Sequence, residues 1–219
     1  MWEVDIQAVR HLLRSRRARI VLAGVMLALV AVVAVGGHYA IRAYLTKTQG
    51  VVLKTAATIE PRDVTFFLQN DPAWATQTLG ASSYRMGGSG CLVSCIASAL
   101  GTLGVATDPG RVNQAFTAAG VYDAEGDVVW KHITRAYPRV GYRYSRVFDA
   151  KRIEADLRSG LRPLLGVGYL GGSAQHWVEV VGADGQDFLV MDPLARERAP
   201  IPLSRHGRVF YYRVLVPVA

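Results

Sequence analysis

The sequence predicts an α+β domain, a helical half packed against an antiparallel sheet, preceded by one membrane-spanning helix. Three observations carry this. The run from Ile20 to Ile41 holds no Asp, Glu, Lys or Arg over 22 residues. Helical spacing and N-cap residues concentrate between Cys91 and Arg158, and short apolar runs separated by turn residues follow from Pro163 to Val216. Residues 1–47 carry +5 of the formal net charge of +8, so the basic character belongs mostly to the flank of the apolar run.

At the α-helical rise, residues 20–41 span about 33 Å, enough for a hydrocarbon core of roughly 30 Å. Arg10, Arg14, Arg16, Arg17 and Arg19 precede the run, whereas Arg42, Lys47 and Lys54 follow it more sparsely. That asymmetry places a cytoplasmic basic tail at 1–19, a transmembrane helix at 20–41 and the rest of the chain outside the cytoplasmic membrane. The competing reading is a cleaved signal peptide, with Ala34-Val35-Gly36 as a small-residue cleavage site. The apolar run is longer than the usual signal-peptide core of about 7–15 residues, which favours an anchor. Residues 42–63 are polar with little periodicity and read as a linker, and 64–219 as one domain with its own core.

Within that domain, Leu92, Ile96, Leu100 and Leu103 recur at helical spacing in an Ala-rich segment entered through Gly88-Ser89-Gly90. Asp108-Pro109 opens a second helix (Arg111 to Ala119), Gly126 precedes a third (Val128 to Ala136), and Asp149 caps a fourth (Ala150 to Arg158). Pro163 to Tyr169 reads as a strand. Trp177 to Val181 and Phe188 to Met191 flank residues 182–187 as a hairpin, and Arg208 to Val216 closes the sheet. Trp74, Trp130 and Trp177 read as core or cleft-wall aromatics.

Composition narrows function. The part after residue 47 carries only +3, too little for the dense basic patch of a nucleic-acid binder. The five His residues show no ligand pair at i, i+4 and no acidic companion at metal spacing. The glycines from 166 to 185 lack the strand-to-helix setting of a dinucleotide fingerprint, so no cofactor is expected. Arg135, Arg139, Arg143 and Arg146 read as a solvated face that could also dock an acidic partner.

Three residue types stand where thiol chemistry would need them. Cys91 follows a glycine-rich turn and opens a helix, where unpaired backbone N–H groups and the helix dipole favour a thiolate. His176 begins a strand, and Asp192 ends the next one, so a hairpin would set the carboxylate beside the imidazole. The alternatives are a buried structural Cys91–Cys95 pair, a Cys91–Cys95 disulfide, a surface histidine and a turn-forming Asp before Pro193.

The residues Gln69-Asn70-Asp71-Pro72-Ala73-Trp74, Gly88-Ser89-Gly90-Cys91, Gly126-Asp127-Val128-Val129-Trp130, His176-Trp177-Val178-Glu179-Val180-Val181-Gly182 and Met191-Asp192-Pro193 together resemble the bacteriocin-processing-like cysteine peptidases. These are papain-like domains best known for cleaving double-glycine leader peptides, and here the likeness is to their non-transporter branch. The resemblance covers the chain from about Val64 onward. It implies Cys91 as nucleophile, His176 as general base, Asp192 as its orienting partner and Gln69 as oxyanion donor.

The sequence thus leads to a single-pass cysteine peptidase acting on a peptide or protein outside the cytoplasmic membrane. A second reading is a catalytically inactive, peptidase-like assembly subunit of a membrane complex, suggested by the apolar Leu92-Val93 pair after the cysteine and by the anchor. A third is a thiol amidase acting on cell-wall peptides.

Overall fold

Helix α1 (Arg16–Gln49) runs uninterrupted for 34 residues. Its most apolar window has a mean hydropathy of 2.7 with none of it buried, so this N-terminal helix is long and apolar enough to cross a membrane. The computed structural model describes residues 16–62, 64–196 and 198–218. Arg10, Arg14 and most of the basic tail proposed for 1–19 lie outside the described residues. The chain divides into two units, Met1–Tyr44 and Leu45–Ala219, of which the second holds the sheet and the shorter helices.

The stretch 42–63, read from sequence as a linker, has more structure than its composition suggests. The helix continues to Gln49, and Gly50 then turns the chain with a positive φ of 66°. Val51 makes a bridge to Val209, Leu53 is buried, and β1 (Thr58–Ile59) pairs with a sheet strand. Backbone pairing fixes this segment, a signal that side-chain periodicity does not carry.

The helical half comprises α2 (Met86–Ser89), α3 (Cys91–Thr102), α4 (Pro109–Ala118), α5 (Ile133–Ala136) and α6 (Ala150–Arg158). Asp108 and Asp149 cap α4 and α6, accepting from the N–H groups of Arg111 and Arg152 as expected of N-cap carboxylates. The helix expected over 128–136 is shorter. Val129 is extended and its N–H bonds to Val121 O, so helical structure starts only with a 3₁₀ turn at Trp130.

The sheet has β2 (Val140–Ser145), β3 (Pro163–Gly168), β4 (Gln175–Asp184), β5 (Phe188–Met191), β6 (Ile201–Pro202) and β7 (Val209–Pro217), in the order β2-β7-β3-β4-β5-β6, with every described pairing antiparallel. Ala183 pairs with Phe188 on one edge of β4 and with Ile59 on the other. This crowding explains Gly182: a Cβ there would lie 2.5 Å from Ile59 O. The domain is therefore α+β, as the sequence indicates. Strand β2 has no counterpart in the sequence pattern, and it takes up part of the basic stretch: Arg143 reaches Asp156 at 2.6 Å instead of facing solvent alone.

Alternating residues send the sheet's two faces into two cores. Leu164, Trp177, Val181 and Leu215 pack with α3 and α4, and Leu165, Val178, Val180 and Val214 pack with α6 and Phe148. A carboxyl side chain interrupts the first core. Glu179, at 0% exposure, lies on β4 near Cys95, Ser98 and Arg162. Burial pushes its carboxyl up to about 8, against the opposing pull of the Ser98 hydroxyl and the Arg162 guanidinium.

The sign of the resulting pH dependence follows from proton counts. Between about 4.5 and 8 the folded chain holds a proton on Glu179 that the unfolded chain has released, so this residue lowers stability as pH rises through that window. Glu179→Gln should therefore gain on the native protein as pH rises from 5 to 9, by on the order of 3 kcal/mol between the ends. Thermal unfolding in detergent at both pH values measures this, and a constant difference would refute the neutral buried carboxyl.

Candidate active site

The local chain around Cys91 is built to open a helix at the wall of a cleft. Helix α2 ends at Ser89, Gly90 turns the chain, and the first helical bond of α3 runs from Ser94 N–H to Gly90 O at 3.0 Å. Gly90 is required, because a Cβ would come within 2.5 Å of Met86 O and 2.8 Å of its sulfur. The backbone N–H groups ahead of Ser94 lie in the first turn, which has no carbonyls upstream of it in the helix. Cys91 is half-buried on the cleft wall.

Both cysteines are free. Cys95, one turn on, is wholly buried and donates its thiol to Trp177 O at 3.4 Å. Burial, and then the charges of Glu179, Cys91 and Asp192, push that thiol well above its ordinary value. Of the two thiols, only Cys91 reaches the cleft.

His176 is the second residue of β4, paired with Val167 of β3 and 2% exposed. The β4–β5 register sets Glu179 opposite Met191, which brings the residue after β5 back toward the start of β4. There Asp192 Oδ1 lies 2.6 Å from His176 Nε2 and also accepts the Leu194 N–H at 2.8 Å. Cys91 and His176 line the same cleft, so the thiol and the imidazole face one space. Burial alone would lower the His176 pKa, but Asp192 and Cys91 outweigh it and hold the imidazole up at about 9. Asp192 is buried too, yet the hydrogen bond and charge of His176, the nearby His206 ring and the Leu194 N–H hold its carboxyl well below the usual range.

Gln69 reaches this site from 22 positions before Cys91 through non-local bonds. Its N–H donates to Pro193 O at 3.0 Å, tying it to the residue after Asp192, and its side-chain amide donates to Gly87 O at 3.0 Å. It is 1% exposed and borders the same cleft. One amide proton is held by Gly87 O, and an amide carries two. The structure thus brings together all four side chains singled out from the sequence: Cys91, His176, Asp192 and Gln69.

The cleft holds about 450 Å³. Leu79, Val128 and Trp177 supply apolar wall, and the exposed Glu125 and Asp127 stand at its edge. Among the described residues no group of three or more His, Cys, Asp or Glu is arranged to hold a metal ion.

Two further residues had no sequence signal. Tyr169 sets its ring edge-on to His176, with centroids 5.2 Å apart. His206, 30 positions beyond His176, lies 3.4 Å from Asp192 through Nε2 and is 1% exposed. A lone histidine before a glycine, in a segment without period, offers a reader of the sequence nothing to act on.

No protein-family model matches the chain, and no curated protein matches it. Among solved structures, a crystal structure assigned provisionally as a C39-like peptidase from Bacillus anthracis is similar over 73% of this chain and 98% of that one, at 12% sequence identity and a TM-score of 0.49.

Proposed function

We propose that this protein is a membrane-anchored cysteine peptidase of papain-like architecture, hydrolysing peptide bonds outside the cytoplasmic membrane through Cys91, His176 and Asp192. The observation that carries the reading is one cleft lined by a thiol at a helix N-terminus and by a buried imidazole, with a buried carboxylate 2.6 Å from that imidazole. A nucleophile, a base and the base's orienting group around one cleft are the minimum for covalent acyl transfer.

With Nε2 committed to Asp192, the Nδ1 side of His176 is left for the thiol. The Cys91 proton resides on His176 in a thiolate–imidazolium pair, in line with an imidazole held up at about 9, and the thiolate sulfur attacks the scissile carbonyl carbon, sending the C=O electron pair onto oxygen. The Cys91 backbone N–H and the second Gln69 amide proton receive that oxyanion. Collapse of the tetrahedral intermediate breaks the C–N bond, and the departing amine takes the proton from His176, leaving a thioester. Water, deprotonated by His176, attacks the thioester, and the acid product leaves as the thiol is reprotonated. The arginine asymmetry about α1 supports an N-terminus in the cytoplasm and a peptidase domain outside.

Replacing Cys91 by Ala should abolish cleavage of an internally quenched peptide library while leaving the unfolding temperature unchanged. Retained cleavage by the folded variant would overturn the assignment. Alkylation gives a substrate-independent check: iodoacetamide should modify Cys91 far faster than the buried Cys95, and His176→Ala should slow Cys91 itself by an order of magnitude or more at neutral pH.

Because His176 must hold a proton to release the amine, kcat/KM should fall as pH rises through about 9. A profile flat to pH 10 would separate the imidazole from the chemistry. Gln69→Ala should lower kcat by roughly 10²–10³-fold if its amide meets the oxyanion. A loss confined to KM would place Gln69 in substrate binding instead.

A further inference from the structure

Asp192 has a second histidine. His206 ends a 3₁₀ turn (Leu203–His206) just before β7, and Leu203 of that turn is buried in the α6-side core. Ser204 N–H bonds to Asp187 Oδ2 at 3.0 Å, so the turn is held at both ends. One ring nitrogen of His206, Nδ1, accepts the N–H of Leu170 at 3.3 Å. An imidazole nitrogen that accepts carries no proton, so the ring proton lies on Nε2, a buried atom without a hydrogen bond in good geometry, whose charged neighbour is Asp192 Oδ2 at 3.4 Å. The carboxylate is thus approached from two sides, by His176 at Oδ1 and by His206 at Oδ2.

The acceptor side of His206 also has a task. Leu170 sits in the left-handed region with φ 47° and ψ 38°, among the described residues the one non-glycine with positive φ. A leucine held there is strained and persists only where its surroundings fix it. The His206 ring receives its N–H, and the preceding residue, Tyr169, presents its ring edge-on to His176. Around His206 stand Asp192, the His176 ring at 5.7 Å and the Tyr169 ring at 6.4 Å, with Arg196 and Arg205 lining the adjoining cleft.

We infer that His206 is a positioning residue for the His176–Asp192 pair: as the Nε2–H tautomer it fixes the Asp192 carboxylate so that Oδ1 is presented to His176, while its Nδ1 pins the strained Leu170 turn that carries Tyr169 against the same imidazole. This rests on the reading of Cys91 and His176 as the reacting pair. The two faces of the ring separate by substitution. In His206→Gln the side-chain amide falls near the Nε2 position and can still donate to Asp192. In His206→Asn the shorter amide falls near Nδ1, where its oxygen can still receive Leu170 N–H, but nothing reaches Asp192.

The probe is iodoacetamide with the full chain in detergent, following Cys91 and Cys95 separately by peptide mass. His206→Asn should slow Cys91 alkylation about tenfold at pH 6 and move the titration of His176, read by NMR, to lower pH. His206→Gln should stay within about twofold of the native protein in both. Equal losses in the two variants, with a matching fall in unfolding temperature, would reduce His206 to a structural core residue and overturn the inference, as would no loss in His206→Asn. Should His206→Asn fail to fold, the ¹⁵N signals of the native ring decide: an Nε2–H tautomer supports the inference, and an Nδ1–H or doubly protonated ring overturns it. If His176→Ala leaves the rate of Cys91 alkylation unchanged, the peptidase reading fails first.

Discussion

Placing an ionised carboxylate in a dry interior is among the costliest things a fold can do, and the arrangement around Asp192 is best understood as the set of contacts that offset that cost. The side chain is 3% exposed, far from the water that would otherwise solvate it. Hydrogen bonds from His176 and the Leu194 N–H, with His206 on the other oxygen, replace that water. The geometry depends on the β4–β5 hairpin, whose register brings residue 192 back to residue 176, so the sheet and the ion pair stabilise each other. The interaction also bears on the state of the imidazole: burial disfavours its charge, and the carboxylate together with Cys91 outweighs burial.

The sheet makes this possible by being covered on both faces. β3 is buried at every position and β4 at all but its two ends, so His176 is held by strands that cannot shift without disturbing two cores at once. The α3 side brings the thiol to the cleft and the α6 side provides ballast. Asp156 on α6, in contact with Arg143, Arg152 and Tyr212, ties that helix to the β2–β7 edge of the sheet. Nothing in that polar cluster borders the Cys91 cleft, which places its contribution on the stability of the scaffold.

What the sequence made legible was whatever depends on neighbouring residues. The Leu92, Ile96, Leu100 spacing, the Asp108 and Asp149 caps and the hairpin about Gly185 are local patterns, and each corresponds to an observed element. Strand β2 was hidden because its Arg and Tyr residues alternate without an apolar face: Tyr142 and Tyr144 stack on each other, and Arg213 from β7 lies over the Tyr144 ring. Residues 51–59 were hidden because their order comes from backbone pairing with β7 and β4. In the site, Cys91, His176 and Asp192 could be read from turn and strand boundaries. His206 could not, since only the folded chain brings residues 170, 192 and 206 together.

Cys91 and Cys95 show how little separates a candidate nucleophile from an inert core residue. They are the same residue type on the same helix, one turn apart, so helix propensity and composition treat them alike. The difference is the helix terminus. Cys91 sits where the first-turn N–H groups lack helical partners and on the cleft that His176 also lines. Cys95 sits under that turn, its thiol against Trp177 O and its surroundings including Glu179, so any negative charge on its sulfur would be both desolvated and repelled. Moving the start of α3 by a single turn would exchange these environments. Gly90 permits the observed start, because any side chain at that position would meet Met86 O. The chemistry available to this domain is therefore set as much by a residue with no side chain as by the thiol beside it.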